Sequence, residues 1–122
     1  MRRALAILAL VVSCGPPPKP TFTRVEKEVF TSCTFAACHV GAGAENLNLE
    51  KPAYAKIVGA PTHGWDGGTL VVPGKPDESY LYEKLSKDMP RTGVRMPNTG
   101  DPLEPERLQL VKDWITAGAE NN

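Results

Sequence analysis

Two thiols and an imidazole fall within the seven residues Cys33-Thr34-Phe35-Ala36-Ala37-Cys38-His39, in a chain with one other cysteine, Cys14, and one other histidine, His63. A CxxCH sequence attaches c-type haem: both sulfurs add to vinyl groups, and the histidine after the second sulfur ligates the iron. Here two extra residues separate the cysteines. The adjacency of Cys38 and His39 is kept, so the wider spacing loops Thr34 to Ala37 outward without moving the imidazole away from its neighbouring sulfur. The same residues have other readings. A Cys33 to Cys38 disulfide closes a small loop easily in an oxidising compartment, but leaves His39 unexplained. A zinc site of Cys33, Cys38, His39 and His63 would put adjacent residues on one tetrahedral ion, whereas structural zinc pairs normally leave a few residues between ligands. The last reading is a buried thiol pair without a ligand.

An iron held by His39 on one side is open on the other or takes a second donor. A thioether is soft and neutral, so it favours the ferrous state and raises the potential. Met89 and Met96 each precede a proline. Met89 continues the apolar spacing of Leu81 and Leu85, which predicts core packing. Met96 sits between Arg95 and Pro97 with no helical stripe to join, so its loop can bring the sulfur to the face opposite His39. Gap filling is the other use of such a methionine. His63, in a loop flanked by Gly64, is the rival ligand.

The elements that must position these groups read as short helices. Thr23 with Glu26 forms a capping-box pattern, and Val25, Val29 and Cys33 recur at intervals of four with Phe30 beside them. That helix delivers Cys33. Val40-Gly41-Ala42-Gly43-Ala44 is too rich in glycine to continue a helix, and Leu47 and Leu49 follow in a polar loop. Pro52 suits the first turn of a short helix with Tyr54, Ile57 and Val58. Asp77 is a good N-cap for a helix through Lys87, with Tyr82 flanking its apolar face. The last helix is expected from about Pro105 to Ala117, where Leu108, Val111 and Ile115 form a stripe widened by Leu110 and Trp114 and Gly118 is the stop. No strand-period segment or internal repeat stands out.

Glycine and proline together number 23, while phenylalanine, tyrosine and tryptophan number 8. Few bulky groups are therefore available to a domain only marginally able to bury enough surface, and a haem would supply core. The chain opens with Met1-Arg2-Arg3 and an apolar run from Ala4 to Val12, a signal peptide too short to span a bilayer permanently. Val11-Val12-Ser13-Cys14 resembles a bacterial lipobox, in which the cysteine is acylated; an ordinary signal peptide cut nearby would instead leave Cys14 as a free or paired thiol. Lipid on Cys14 and haem on Cys33 and Cys38 would account for all three cysteines, and each buried methylene of an acyl chain adds about 0.8 kcal/mol of membrane affinity. Gly15 to Pro20 reads as an extended, semi-rigid spacer. The 14 basic and 14 acidic residues balance, and loss of Arg2 and Arg3 with residues 1–13 would leave 12 against 14, a net charge of −2. No basic stripe points to nucleic acid.

Taken together, Cys33 to His39, the run from Val71 to Tyr82, Arg95-Met96-Pro97 and Trp114 to Ala119 resemble the planctomycete-type cytochrome C domain, a cytochrome c-like family also abundant in myxobacterial lipoproteins. The resemblance extends from about Val25 to Ala119. It implies an all-α, small cytochrome c-like fold around one covalent haem c, with Cys33 and Cys38 as attachment sites, His39 as proximal ligand and Met96 as distal ligand. The cysteine spacing is wider than the family's commonest form, and Glu104 stands where a serine cap is usual. The expected organisation is a lipoprotein signal peptide at 1–13, lipidated Cys14 and a proline-rich spacer at 14–22, and a monomeric domain at 23–122. The expected function is one-electron transfer to redox partner proteins, without enzymatic turnover, from a lipid anchor in the bacterial periplasm or cell envelope. A non-haem binding lipoprotein pinned by a Cys33 to Cys38 disulfide is the alternative, and a haem enzyme or gas sensor with an open distal site is a third reading.

Overall fold

A computed structural model describes residues 15–35 and 38–122. The expected signal peptide and Cys14 lie outside the described residues, as do Ala36 and Ala37 of the wider cysteine spacing. Among the described residues the architecture is helical. It comprises α1 (Phe22–Val25), a π-helical turn (Glu26–Phe30), α2 (Thr31–Cys33), α3 (Tyr54–Ile57), α4 (Tyr80–Ser86) and α5 (Pro105–Thr116), with 3-10 turns at Ala44–Asn46 and Pro76–Glu78. No strand forms among them. Extended segments meet only in the isolated bridges Val58 to Val71, Pro61 to Thr69, and Thr69 to Ser79. No helix of the described residues is long and apolar enough to cross a membrane.

The first helical stretch runs without a break through α1, the π turn and α2, but its cap differs from the expected box. Thr21, two residues earlier, is the N-cap and accepts the Arg24 N–H at 3.3 Å. Thr23 lies inside the helix. The Glu26 carboxylate reaches across to accept the Ala53 N–H at 2.9 Å, so its hydrogen bonding serves the start of α3 instead. A helix start leaves its first N–H groups without intrahelical partners. Asn122 supplies two of those partners, accepting from Phe22 through its side chain and from Thr23 through its backbone, each at 2.9 Å. In the π turn and the residues after it, carbonyls take hydroxyls as donors: Thr31 donates to Lys27 O at 2.9 Å and Ser32 to Val29 O at 2.7 Å. Such competition for the backbone explains why the intervals of four from Val25 to Cys33 do not make one regular α-helix.

Composition leads one to expect a core short of bulk; the structure concentrates the bulk instead. Phe22 meets Phe30 edge-on at 6.3 Å between centroids and Tyr54 at 5.2 Å, and Trp114 lies 5.2 Å from Phe22. Around this cluster pack Val25, Val29, Ile57, Val71, Val111 and Ile115, all fully buried. Helix α5 packs on both α1 and α4. It buries Leu110, Val111, Trp114 and Ile115 and leaves Leu108 half-buried, close to the expected stripe. Pro105 occupies its first turn, and Gly118, with φ +107°, turns the chain back over α5. There the Trp114 indole donates to Glu120 O and the Tyr54 hydroxyl to Ala119 O.

Two expectations for α4 are corrected. Asp77 lies within the 3-10 turn Pro76–Glu78, and Ser79 takes the N-cap position of a helix that starts at Tyr80. The Ser79 hydroxyl faces inward, accepting the Val72 N–H at 2.9 Å and donating to Lys75 O at 2.8 Å. The helix then ends at Ser86, because Lys87 is extended at φ −99° and ψ 134°. The apolar spacing therefore does not carry on to Met89, which is 87% exposed and no part of the core. Likewise Pro52 precedes α3 rather than opening it, and Val58 is its C-cap.

Candidate functional site

The end of α2 delivers Cys33 and the turn after it delivers Cys38 and His39. The His39 N–H donates to Cys33 O at 3.2 Å and the Ala44 N–H to Cys38 O at 2.9 Å, so the segment folds back on itself. Gly43 makes this close return possible: a Cβ there would lie 2.6 Å from Cys38 O. The Leu49 N–H donates to His39 O at 2.9 Å, which anchors the imidazole's backbone to the buried Leu49.

The ring of His39 is itself oriented. Its Nδ1 lies 3.2 Å from Leu47 O. A carbonyl oxygen can only accept, so Nδ1 carries the proton and, in the neutral ring, the free lone pair sits on Nε2. Metal-binding histidines use this same device, with the second nitrogen tied to a carbonyl that fixes tautomer and ring orientation.

Cys33, Cys38, His39, His63 and Met96 all line one cavity of about 230 Å³. One face of α4, made of Tyr80, Leu81, Lys84 and Leu85, forms a wall, and Leu47, Leu49 and Leu70 complete an apolar lining. Leu49, Leu70, Leu81 and Leu85 are also buried core residues, so the cavity backs directly on the core. Met96 is half-buried and packs against that core, whereas His63 is exposed at the rim. Met89 does not reach the cavity lining. Cys33 and Cys38 are free thiols, the first half-buried and the second exposed. The disulfide of the alternative reading is not formed in this structure. Burial pushes the Cys33 thiol pKa up, with a smaller push from Cys38 and an opposing hydrogen bond with Ser32.

Sequence reasoning missed Lys84. Its ammonium donates to Thr92 O at 3.1 Å and to Val94 O, and it sits 6.0 Å from the centre of the Tyr80 ring. Burial lowers its pKa, against the raising influence of Glu45 and Glu83. The four-residue spacing of Tyr80 and Lys84, parallel to that of Leu81 and Leu85, was the available signal that both share the cavity face.

Glu83, also missed, is buried at 5% exposure and holds Arg91 by several bonds, among them Arg91 N–H to Oε1 at 2.6 Å and Arg91 Nη2 to Oε2 at 3.0 Å. Burial opposes ionisation of this carboxyl. The Arg91 hydrogen bonds and the charges of Arg91 and Lys87 outweigh it and hold the pKa below the usual range. A depressed folded-state pKa contributes stability that is present above the unfolded value, near pH 4, and is lost as pH falls through the folded one. Acid unfolding followed by circular dichroism should therefore show Glu83→Gln losing less stability between neutral pH and about pH 3 than the parent protein; equal losses would contradict this role.

No family model, curated protein or solved structure matches the chain. What the cavity could hold is therefore read from its donors. Among the described residues no three His, Cys, Asp or Glu side chains gather to hold a bare ion, so Cys33, Cys38, His39 and His63 do not assemble a zinc site. A porphyrin needs less, because it brings four nitrogens and asks the protein for one or two axial donors and an apolar wall. Two thiols, an oriented imidazole, a thioether and a leucine-rich lining suit that group.

Proposed function

We propose that this chain is a c-type cytochrome that carries single electrons, with one haem c held covalently by Cys33 and Cys38 and its iron between His39 and Met96. The observation that carries the reading is the convergence of these four side chains, 63 positions apart from first to last, on one cavity. When bound, haem supplies a one-electron ferric/ferrous couple. The residues of the chain do the rest. His39 offers Nε2 because Leu47 O holds the proton on Nδ1. Met96 offers a neutral sulfur that favours the reduced state, and the leucine lining offers the ring an apolar wall. An export signal at 1–13 and lipid on Cys14 would make the chain a lipid-anchored protein of the periplasm or cell envelope whose partners are other redox proteins. Gly15 to Lys19 is exposed and without regular secondary structure, and Arg24 Nη1 donates to Pro18 O and Lys19 O, a form suited to a spacer.

The test is expression in a host that matures c-type cytochromes, followed by haem staining of a denaturing gel and a pyridine haemochrome spectrum. A stained band at the mass of the chain plus one haem is expected; a colourless, folded protein refutes the proposal. In the stained protein, Met96→Ala should remove the sulfur-to-iron absorption band near the red end and lower the reduction potential. Survival of the band would transfer the distal role away from Met96.

A further inference from the structure

The segment from Lys87 to Glu104 contains no helix, yet it must hold the sulfur of Met96 at the cavity. Its exposed apolar side chains, Met89 and Val94, give no anchorage, and its apolar contacts with the core are those of Pro90, Leu103 and the half-buried Met96 itself. What fastens the stretch from Arg91 to Met96 is largely polar, and most of it comes from two consecutive residues of α4, with the Tyr80 hydroxyl adding a bond to Thr92 O at 3.2 Å. The Glu83 carboxylate takes the Arg91 N–H and the Arg91 guanidinium, whose carbon lies 3.9 Å from the centre of the Trp65 ring. Arg91 is therefore clasped between a carboxylate and an aromatic face. Next along the loop, Lys84 Nζ donates to Thr92 O and Val94 O, and Lys84 O accepts the Met96 N–H at 2.7 Å. Gly93, at φ +66°, lets the backbone pass so closely that a Cβ there would sit 3.1 Å from Lys84 Nζ. The loop is thus fastened at 91, 92, 94 and 96 to adjacent positions of one helix.

Glu83 is the only buried charged residue among the described residues. Burying a carboxylate is unfavourable unless it is paired and hydrogen-bonded, and here the hydrogen bonds go to Arg91 of the loop that carries Met96, with the Lys87 ammonium 3.6 Å away as a second counter-charge. A thioether ligand tolerates little misplacement, since a donor must be held to within a fraction of an ångström by supports that are themselves locked.

We infer that Glu83 is a positioning residue for the distal ligand: acting through Arg91, it holds the Met96 loop so that the thioether stays on the iron. The inference rests on the function proposed above. Its test uses the full chain matured with haem, comparing Glu83→Ala, Arg91→Ala, the double variant and Glu83→Gln with the parent, and Lys75→Ala as a control that breaks only the exposed pair with Glu78. The readouts are the sulfur-to-iron band and the reduction potential, taken where circular dichroism shows each protein folded. Glu83→Ala and Arg91→Ala should each weaken the band and lower the potential while covalent haem is retained, and the double variant should go no further than either alone. Glu83→Gln, which keeps size and one acceptor but loses the charge, should show the same change to a smaller extent and covers the case in which Glu83→Ala does not fold. Lys75→Ala should change neither readout. Band and potential unchanged in folded Glu83→Gln or Glu83→Ala would overturn the inference and leave the cytochrome standing. A parent protein without covalent haem would overturn the cytochrome itself, and a haem-loaded parent lacking the sulfur band would overturn the positioning role by removing Met96 from the iron.

Discussion

Replacing both Cys33 and Cys38 with alanine is expected to abolish haem staining on a denaturing gel altogether, while the purified chain keeps its helical circular dichroism. Loss of colour follows because the thiols are the only covalent tie between chain and haem; His39 and Met96 give up a ligand on denaturation. Retention of the fold follows from where the bulk lies. The Phe22, Phe30, Tyr54 and Trp114 cluster and the buried face of α5 do not line the cavity, so a protein-only core persists without a ligand. The single variants separate the two sulfurs. Each should keep one thioether and some stain, and the vinyl left unreacted lengthens the conjugated system, moving the reduced pyridine haemochrome band to the red. Cys38 follows directly into His39, so Cys38→Ala should impair maturation more than Cys33→Ala, which alters a half-buried residue at the end of α2. Full staining in the double variant would end the case for haem c.

The largest loss of stability is expected at Trp114. Its side chain is 1% exposed, packs on Phe22 and donates its indole N–H to Glu120 O at 2.9 Å. Truncation to alanine removes an aromatic wall between α5 and α1 and leaves a cavity, a change that costs about 3–5 kcal/mol in a well-packed core. Small domains have only about 5–15 kcal/mol in total, so the variant should unfold at markedly lower denaturant, with a midpoint in temperature lower by about 10 °C or more. Trp114→Phe should fall in between, because it keeps most of the packing and gives up the hydrogen bond that ties down the C-terminal tail. A denaturation midpoint for Trp114→Ala within error of the parent would show that α5 is not the keystone of the core.

Helical periodicity was legible wherever a helix buries one continuous face. Helix α5 shows this best: its stripe, its opening proline and its closing glycine are all local properties, and the structure reproduces them within a residue. Caps were legible only as local possibilities. Thr23 with Glu26 satisfied the pattern, but Thr21 begins the helix, and Ala53, 27 residues away, claims the Glu26 carboxylate. Asp77 was a better N-cap by type than Ser79, yet the Ser79 hydroxyl ties the Val72 to Lys75 turn together and the helix starts after it. Met89 failed for a related reason, since spacing cannot reveal that the helix carrying it stops three residues short.

The sequence by itself determined the chemistry on offer: two sulfurs and a histidine in one short turn, a methionine in a proline-bounded loop, and a helix-forming chain without strand periodicity. These are matters of residue type and near spacing, which covalent geometry fixes before any folding. Only the tertiary structure decided which of them meet. It brought Cys33, Cys38, His39 and Met96 to one cavity, left Met89 in solvent, and built from Glu83, Lys84 and Arg91 the fastening that holds the Met96 loop. That fastening crosses the end of a helix, and the pairing of a buried carboxylate with a guanidinium eight residues away is set by how the chain packs, which no local pattern records.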